Sequence, residues 1–155
     1  MTTTNAMRIL SALGVRYDVA RYPVGDEHQD AASVARALGV AAEVVFKTLV
    51  ARNEKNEPLV FCIPGPSELN LKKAALVAGS KKVELVPLRE LTPLTGYLRG
   101  GCSPIGMKRK YPTWIDEIAT AYERIYVNAG ARGLQVIISP SDLCEAADAV
   151  IADLS

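Results

Sequence analysis

The sequence has little of what metal-dependent and disulfide-stabilised proteins require. Of its 155 residues only one is a histidine, His28, and three are cysteines, Cys62, Cys102 and Cys144. No CxxC or HExxH pattern connects them, so the usual nitrogen and sulfur ligands of zinc cannot be assembled, and neither a metal nor another cofactor is expected. A chain of this length does not need disulfides, so the widely spaced cysteines predict reduced thiols. His28 is interpreted as a solvated loop residue.

Long apolar runs are also missing. No stretch approaches the roughly 18 apolar residues that a membrane span needs, and the first residues lack the basic and apolar blocks of a signal peptide. The composition is 49% apolar and 23% charged, which is close to the average for globular proteins. The sequence therefore predicts one folded domain over residues 1–155, located in the cytoplasm and without a membrane partner.

Charge is distributed unevenly. The net charge is +1, but residues 68–110 carry nine basic and three acidic groups, whereas residues 111–155 carry two and seven. A local basic stretch in a nearly neutral chain indicates contact with a few phosphates rather than with a long DNA duplex. The alternative is a solvated helix face for the lysines of this stretch, which include Lys72, Lys73, Lys81 and Lys82.

The pattern of apolar residues, caps and glycines predicts a mixed α/β domain. Thr4, Asp30 and Asn70 are expected to cap helices that end at Gly14, Gly39 and Gly79, and a capped helix is expected over residues 139–150. Strands are expected at residues 15–19, 44–51, 58–63, 82–86, 125–127 and 134–138, with 44–63 as a hairpin. Short helical segments are expected at 87–95 and 116–122, and the longest loop at 96–112.

Within that loop, residues 100–106 read Gly-Gly-Cys-Ser-Pro-Ile-Gly, and glycines allow main-chain N–H groups to approach a ligand closely. The segment is not a Walker A motif, because Met107 and Arg109 stand where Lys and Ser or Thr are required. It is not a nucleophile elbow either, because Ser103 is not followed by x-Gly. A ligand-binding loop and a merely tight turn both remain open from spacing alone.

Two further residues are candidates for chemistry. Lys47 interrupts an apolar strand, where an ammonium needs either an anionic partner or access to solvent at a sheet edge. Cys102 could act as a nucleophile only if Arg99 or Lys108 lowered the pKa of its thiol, so packing is the simpler interpretation. Tyr22 is likewise open between packing and ligand contact.

Several motifs together resemble the YbaK/EbsC family, in the same order and with approximately the same spacing. They are Phe-Lys-Thr-Leu at 46–49, Leu-Lys-Lys at 71–73, Lys-Lys-Val-Glu at 81–84, Thr-Gly-Tyr at 95–97, the loop at 100–106, Pro-Thr at 112–113 and the segment at 125–133. The resemblance covers nearly the whole chain and is far more specific than any single motif.

The resemblance implies a free-standing aminoacyl-tRNA editing domain, similar to the one inserted in prolyl-tRNA synthetase, with a mixed, barrel-like sheet surrounded by helices. The implied activity is ester hydrolysis of a mischarged aminoacyl-tRNA, most similar to the branch that removes cysteine from proline tRNA and sometimes from cysteine tRNA. The implied partners are the aminoacyl-tRNA 3′ end and a prolyl-tRNA synthetase that could deliver it.

The resemblance also implies the site residues. Those expected in catalysis are Lys47, Gly100 and Gly101, and those expected in substrate binding are Tyr22, Cys102, Ser103, Pro104, Gly106, Asn128, Arg132 and Gln135. The chain departs from the family pattern in carrying Asn128 where relatives have Ser and Gln135 where they have Asp, which leaves the amino-acid specificity open.

The family chemistry needs no protein nucleophile, because the cysteine thiol of the substrate attacks its own ester and forms a thiolactone. On this hypothesis Lys47 holds the terminal phosphate or ribose, and main-chain N–H groups of residues 100–103 stabilise the oxyanion. Two alternatives remain: a deacylase for another residue, such as alanine on proline tRNA, that uses an activated water, and a non-enzymatic domain that binds the tRNA end.

Overall fold

The computed structural model of the chain describes residues 3–25 and 29–155, so His28 lies outside the described residues. The helices are α1 (Asn5–Leu13), α2 (Ala31–Leu38), α3 (Leu71–Ala78), α4 (Leu91–Thr95) and α5 (Pro140–Ala147). The strands are β1 (Asp18–Arg21), β2 (Phe46–Asn53), β3 (Pro58–Pro64), β4 (Val83–Leu85), β5 (Thr113–Asp116), β6 (Ile125–Ala131), β7 (Leu134–Ile138) and β8 (Ala149–Ala152). Short 3₁₀ helices cover Ala42–Val44, Leu88–Glu90 and Glu117–Ala121.

The strands form two sheets that meet at one point. A five-stranded sheet has the order β4-β2-β3-β5-β8, and a three-stranded sheet has the order β1-β7-β6. The pairs β3/β5 and β5/β8 are parallel and the others are antiparallel. An isolated parallel bridge between Val45, the residue before β2, and Tyr126 of β6 connects the larger sheet to the smaller one. The predicted mixed α/β fold and the hairpin of β2 and β3 are confirmed.

The predicted helix ends are confirmed where caps are encoded locally. The side chains of Thr4, Asp30 and Asn70 accept hydrogen bonds from main-chain N–H groups of the first turns of α1, α2 and α3. Gly14, Gly39 and Gly79 follow the last turns in the left-handed conformation, which a residue without Cβ adopts at little cost.

The main core fills the space between the two sheets. Fully buried residues of β6 and β7, among them Val127, Val136 and Ile138, pack with Phe46 and with Leu10 of α1. A second cluster lies on the other face of the larger sheet, where α3 covers Phe61 and Ile63. The larger sheet is therefore buried on both faces, and its strands carry nearly continuous apolar runs.

The C-terminal prediction was wrong in one respect. The expected helix over 139–150 ends at Ala147, because Asp148 adopts a left-handed φ of 51° and the next residues form β8 beside β5. The strand β5 was not predicted either. Both strands are only four residues long, and their pairing is parallel to distant segments, so no local turn announces them.

No helix within residues 3–25 and 29–155 is long and apolar enough to cross a membrane.

Candidate functional site

The candidate site lies beside an unpaired section of β2. The strand β4 pairs with β2 from Ala51 onward, and its last contact is a hydrogen bond of 3.1 Å from the Val86 N–H to the Val50 carbonyl. At the other end, the bridge to β6 engages Val45. Residues 46–49 lie between these two attachments and line a cavity of about 420 Å³.

Three groups of residues complete the walls of this cavity. The start of α2 and the segment before it contribute Tyr22, Gln29, Asp30, Ala31 and Val34. The glycine loop and the smaller sheet contribute Arg99, Gly100, Cys102, Asn128 and Gln135. The segment after β4 contributes Leu85, Val86, Leu88 and Leu91. The cavity thus joins segments that are far apart in sequence.

Lys47 lies in the wall of the cavity, half-buried, and its ammonium makes no hydrogen bond or ion pair within the described residues. Burial lowers the pKa of its ammonium, and the carboxylates of Glu68 and Asp30 partly oppose that shift. A cation held in this way is electrostatically available to an incoming anion.

The main chain of Thr48 faces the cavity. In an antiparallel strand the N–H and C=O groups of one residue point to the same side, and successive residues alternate between the two sides. The Val50 carbonyl points toward β4, whereas the Val45 carbonyl accepts from the Gly65 N–H on the β3 side. The groups of Thr48 therefore point to the unpaired edge. Its N–H therefore points away from β3 at a position that β4 does not reach, which directs a main-chain donor toward the cavity.

The glycine loop reaches the cavity through Gly100 and Cys102. Gly100 has a φ of 82°, which side-chain-bearing residues rarely adopt. Gly101 lies behind it, where a Cβ would stand 3.0 Å from the Arg132 nitrogen. The Gly101 N–H donates to the Leu98 carbonyl at 2.9 Å and is therefore not free to bind a ligand.

Asn128 fixes the glycine loop to β6. Its Nδ2 donates to the Gly100 carbonyl at 2.9 Å, and its Oδ1 accepts from the N–H groups of Gly130 at 2.6 Å and Ala131 at 3.1 Å. These bonds span a break in the register of β6 and β7, where a bulge leaves main-chain donors unpaired. Asn128 therefore positions the loop.

Gln135 and Tyr22 form the buried end of the cavity, with 4% and 8% of their surfaces exposed. The Oε1 atom of Gln135 is buried and has no hydrogen-bond partner among the described residues. An unpaired buried acceptor costs roughly 1–3 kcal/mol. A ligand that donates a hydrogen bond here would recover part of that cost.

The other expected site residues are not among those that line the cavity. The Ser103 hydroxyl accepts from the Ile105 N–H at 3.2 Å, and Pro104 is buried beside it. Gly106 packs against Tyr97 and α1. Arg132 donates to the Gly25 carbonyl at 2.9 Å. These contacts shape and support the loops, and the structure does not bring these side chains into the cavity.

The thiol of Cys102 is poorly suited to nucleophilic attack. The residue is 9% exposed, and burial raises the pKa of its thiol to about 11, against a smaller opposing effect of a hydrogen bond from Thr95. Neither Arg99 nor Lys108 contributes to lowering it. At neutral pH only about one thiol in ten thousand would be ionised.

Sequence reasoning missed the contributions of Thr48, Leu85 and Leu88 and did not place Arg99 in the cavity. Of the basic residues of the middle segment, Arg99 lines the cavity, whereas Lys73 pairs with Asp153 at 3.0 Å. Among the described lining residues the cations are Lys47 and Arg99. In the sequence, only the position of Thr48 beside Lys47 indicated that it could belong to the site. The unpaired edge that exposes its main chain depends on where β4 and β6 end, which the sequence of β2 does not encode.

No group of three or more His, Cys, Asp or Glu side chains within the described part of the chain is arranged to hold a metal ion.

Comparisons with known proteins agree with one another. A family model described as an aminoacyl-tRNA editing domain matches residues 26–146. A protein of Enterococcus faecalis, provisionally named Cys-tRNA(Pro)/Cys-tRNA(Cys) deacylase EbsC, is 43% identical over 98% of this chain and 93% of its own length.

Solved structures share the whole fold. A protein provisionally described as a trans-editing enzyme for prolyl tRNA synthetase matches with a TM-score of 0.82 and 26% identity, over 100% of this chain and 99% of its own. The hypothetical protein APE2540 matches with a TM-score of 0.87 and 26% identity, over 97% of this chain and 99% of its own.

Proposed function

The chain belongs to the aminoacyl-tRNA editing domain family and is an aminoacyl-tRNA deacylase, and from that premise we propose that it removes cysteine from proline tRNA and from cysteine tRNA. The name of the Enterococcus relative supports this substrate. The proposal takes the whole chain as a single editing domain.

The observation that carries the proposed mechanism is that the cavity offers a cation and main-chain donors but no activated nucleophile. Lys47 and the Thr48 N–H line it, whereas its cysteine, Cys102, has a thiol whose pKa is raised to about 11. A substrate that carries its own nucleophile removes the need for one in the protein. Cysteine is such a substrate.

In the proposed reaction the substrate sulfur attacks its own ester carbonyl. A carbon–sulfur bond forms, the carbon–oxygen bond to the terminal ribose breaks, and the thiol proton ends on the ribose oxygen. Well-oriented intramolecular attack reaches effective molarities of about 10⁵ M or more. Because the thiolactone ring has only four members and is strained, stabilisation of the oxyanion must supply a further part of the rate. Water then opens the thiolactone to free cysteine.

The protein groups have separate roles in this scheme. Lys47 binds the terminal phosphate or ribose as an ammonium. The N–H groups of Thr48 and Cys102 are the proposed oxyanion donors, each contributing about 3 kcal/mol; the Gly101 N–H is excluded because it binds Leu98. The unpaired Gln135 Oε1 accepts from the α-ammonium of the aminoacyl group.

The decisive experiment compares cysteinyl-, S-methylcysteinyl-, alanyl- and seryl-tRNA under identical conditions. We expect rapid turnover of cysteinyl-tRNA alone, because S-methylation removes the nucleophile while adding one methyl group, and the alanyl and seryl groups, which are no larger than cysteinyl, lack the thiol without any added bulk. Turnover of S-methylcysteinyl-tRNA at a similar rate would overturn the mechanism. Preferred turnover of alanyl-tRNA would instead favour a mechanism in which a water molecule attacks the ester. The side-chain Oε1 of Gln135 could accept a hydrogen bond from that water.

The Cys102→Ala variant provides the matched control. It should retain activity within about threefold, because its thiol takes no part in the reaction. Abolished activity in a variant that still folds would assign the nucleophile to the protein.

We also propose where the reaction occurs and which protein supplies the mischarged tRNA. Mischarged tRNA is released by synthetases in the cytoplasm, and a prolyl-tRNA synthetase is proposed to hand over the substrate. The name of the structural relative, which mentions that synthetase, supports this arrangement.

A further inference from the structure

One wall of the cavity is apolar and unusually exposed. It consists of Leu85, Val86, Leu88 and Leu91, called here the leucine wall, and all four residues line the same cavity as Lys47. Leu85 is 49% exposed and Leu88 54%. Single exposed leucines are ordinary on protein surfaces, but adjoining ones at the mouth of a cavity indicate a ligand contact.

Leu85, the first residue of the leucine wall, and Lys47 project to the same face of the larger sheet. Leu85 is opposite Ala51 in the antiparallel pair of β4 and β2, and opposite residues project to the same face. Side chains alternate along β2, so Lys47 and Leu49 project to that face as well. The Val50 carbonyl, which holds Val86, is three residues from Lys47, or about 10 Å along the strand. That separation is close to the length of one nucleoside.

The cavity holds more than an aminoacyl group. Its volume of about 420 Å³ lies within the range of about 300–1,000 Å³ typical of sites for drug-sized ligands, whereas a cysteinyl group has only a few heavy atoms. The ester connects that group directly to the ribose of the last nucleotide. With the acyl group beside Lys47 and Thr48, the terminal nucleoside must occupy the cavity mouth.

From this geometry we propose that the leucine wall is the platform on which the terminal base of the tRNA lies flat. This inference rests on the proposed function for the orientation of the ester. A nucleobase presents an apolar face that packs well on aliphatic side chains. Arg99, exposed in the same cavity, supplies a second cation for the neighbouring phosphate of the RNA strand.

The platform contacts the face of the base and does not read its edge. None of the four residues of the leucine wall carries a polar side-chain atom, so hydrogen bonds cannot distinguish one base from another there. Contact of this kind is sequence-tolerant, because every base has a flat face. Removing the base should therefore weaken binding, whereas exchanging it should not.

The test combines protein variants with altered RNA ends. The variants are Leu88→Ser and Leu85→Ser, and the matched control is Leu76→Ser, an 80% exposed leucine on α3 outside the cavity. The substrates are aminoacylated RNAs ending in adenosine, in another base or in an abasic nucleotide. We expect Leu88→Ser to raise KM about tenfold for the adenosine end with kcat within threefold, and Leu76→Ser to change neither.

The RNA with an abasic end completes a double-mutant cycle between the leucine wall and the terminal base. It should raise KM about tenfold for the unaltered protein and cause no further loss with Leu88→Ser, whereas a different terminal base should change KM by less than threefold. An unchanged KM for both wall variants, or an abasic end that is bound as well as adenosine, would overturn the platform. A strong preference for adenine over other bases would also contradict it.

A binding measurement separates this inference from the proposed substrate. An uncharged RNA ending in 2-aminopurine should gain fluorescence on binding to the unaltered protein and to Leu76→Ser, because the base leaves its stack on the neighbouring nucleotide for aliphatic side chains that do not quench it, and should gain much less with Leu88→Ser. Because all tRNAs share the terminal adenosine, this result does not depend on which amino acid is removed. If the aminoacyl-tRNA comparison assigns alanine instead of cysteine, the platform is tested unchanged with alanyl-RNA.

Discussion

At the scale of the single residue, Lys47 shows how a site cation is kept available. Burial lowers the pKa of its ammonium below the ordinary lysine value of 10.5. If the ammonium binds the substrate, kcat/KM should fall as pH rises through this lowered pKa, after correction for spontaneous ester hydrolysis. The Lys47→Arg variant should move that loss to higher pH, because a guanidinium stays charged. If kcat/KM fell at the same alkaline pH in both proteins, the Lys47 ammonium would not be the group whose charge binds the substrate.

The same residue makes stability depend on pH. Between the lowered pKa of the folded state and the ordinary value, the unfolded chain binds more protons, so the free energy of unfolding rises with pH across that window. The Lys47→Met variant should lack this rise and should unfold at neutral pH no more readily than the unaltered protein. Thermal unfolding at pH 7 and at pH 10 measures both effects.

Asn128 is predicted to position the glycine loop rather than to contact substrate. The Asn128→Asp variant keeps the acceptor for Gly130 and Ala131 but loses the donor to the Gly100 carbonyl. Deacylation should fall about tenfold at neutral pH in a folded protein. Activity relative to the unaltered protein should recover in acid, where the introduced carboxyl is protonated and can donate. A purely steric role for Asn128 would produce no such recovery.

At the scale of the element, local signals predicted the structure well and non-local ones were missed. The helices capped by Thr4, Asp30 and Asn70 end at the expected glycines because both signals lie within one turn of the helix. The strands β5 and β8 were missed because their partners are distant in sequence and their pairing is parallel. The same reason hid the unpaired edge of β2.

The site followed the same division. The glycine loop and Lys47 could be predicted, because their residue types are unusual for their surroundings and resemble a known family. The leucine wall could not, because leucines that are half exposed in the fold look like core leucines in the sequence. The loss of Gly101 as a donor also required the fold, since only the turn of the loop brings its N–H to Leu98.

The end of α5 gives a prediction for stability. Asp148 adopts the left-handed conformation there, in which a residue with a Cβ is disfavoured by about 1–2 kcal/mol. The Asp148→Gly variant should therefore increase the free energy of unfolding by about 1 kcal/mol, which corresponds to roughly 2–4 °C in Tm for a domain of this size. Deacylation should not change, because the cavity is formed elsewhere. A decrease in Tm would show that the Asp148 side chain makes a compensating contribution.

At the scale of the whole molecule, charge is balanced locally. Lys73 of the basic middle segment pairs with Asp153 near the C-terminus, and the carboxylates of Glu84 and Glu90 in that segment pair with Arg52 outside it. With Lys47 and Arg99 as the cavity cations, we expect about two phosphates to be engaged. Each phosphate on a single strand contributes about −0.7 to the slope of log K against log salt. A slope of binding near −1.4 is therefore predicted, and a slope steeper than about −4 would indicate a much larger RNA interface.

The short gap in the pairing of β2 also affects how readily other chains can add to this edge and aggregate. Exposed strand edges invite other chains to add as further strands, which leads to aggregation. Along this side of β2, residues 46–49 lack a neighbouring strand among the described residues, and β4 and the bridge from β6 to Val45 close the edge on either side. A foreign strand has too short a ladder to form a lasting pair, whereas a small ester needs only one or two main-chain groups. At this edge of β2 the fold thus offers main-chain hydrogen-bonding groups to a small molecule but too few of them to another polypeptide.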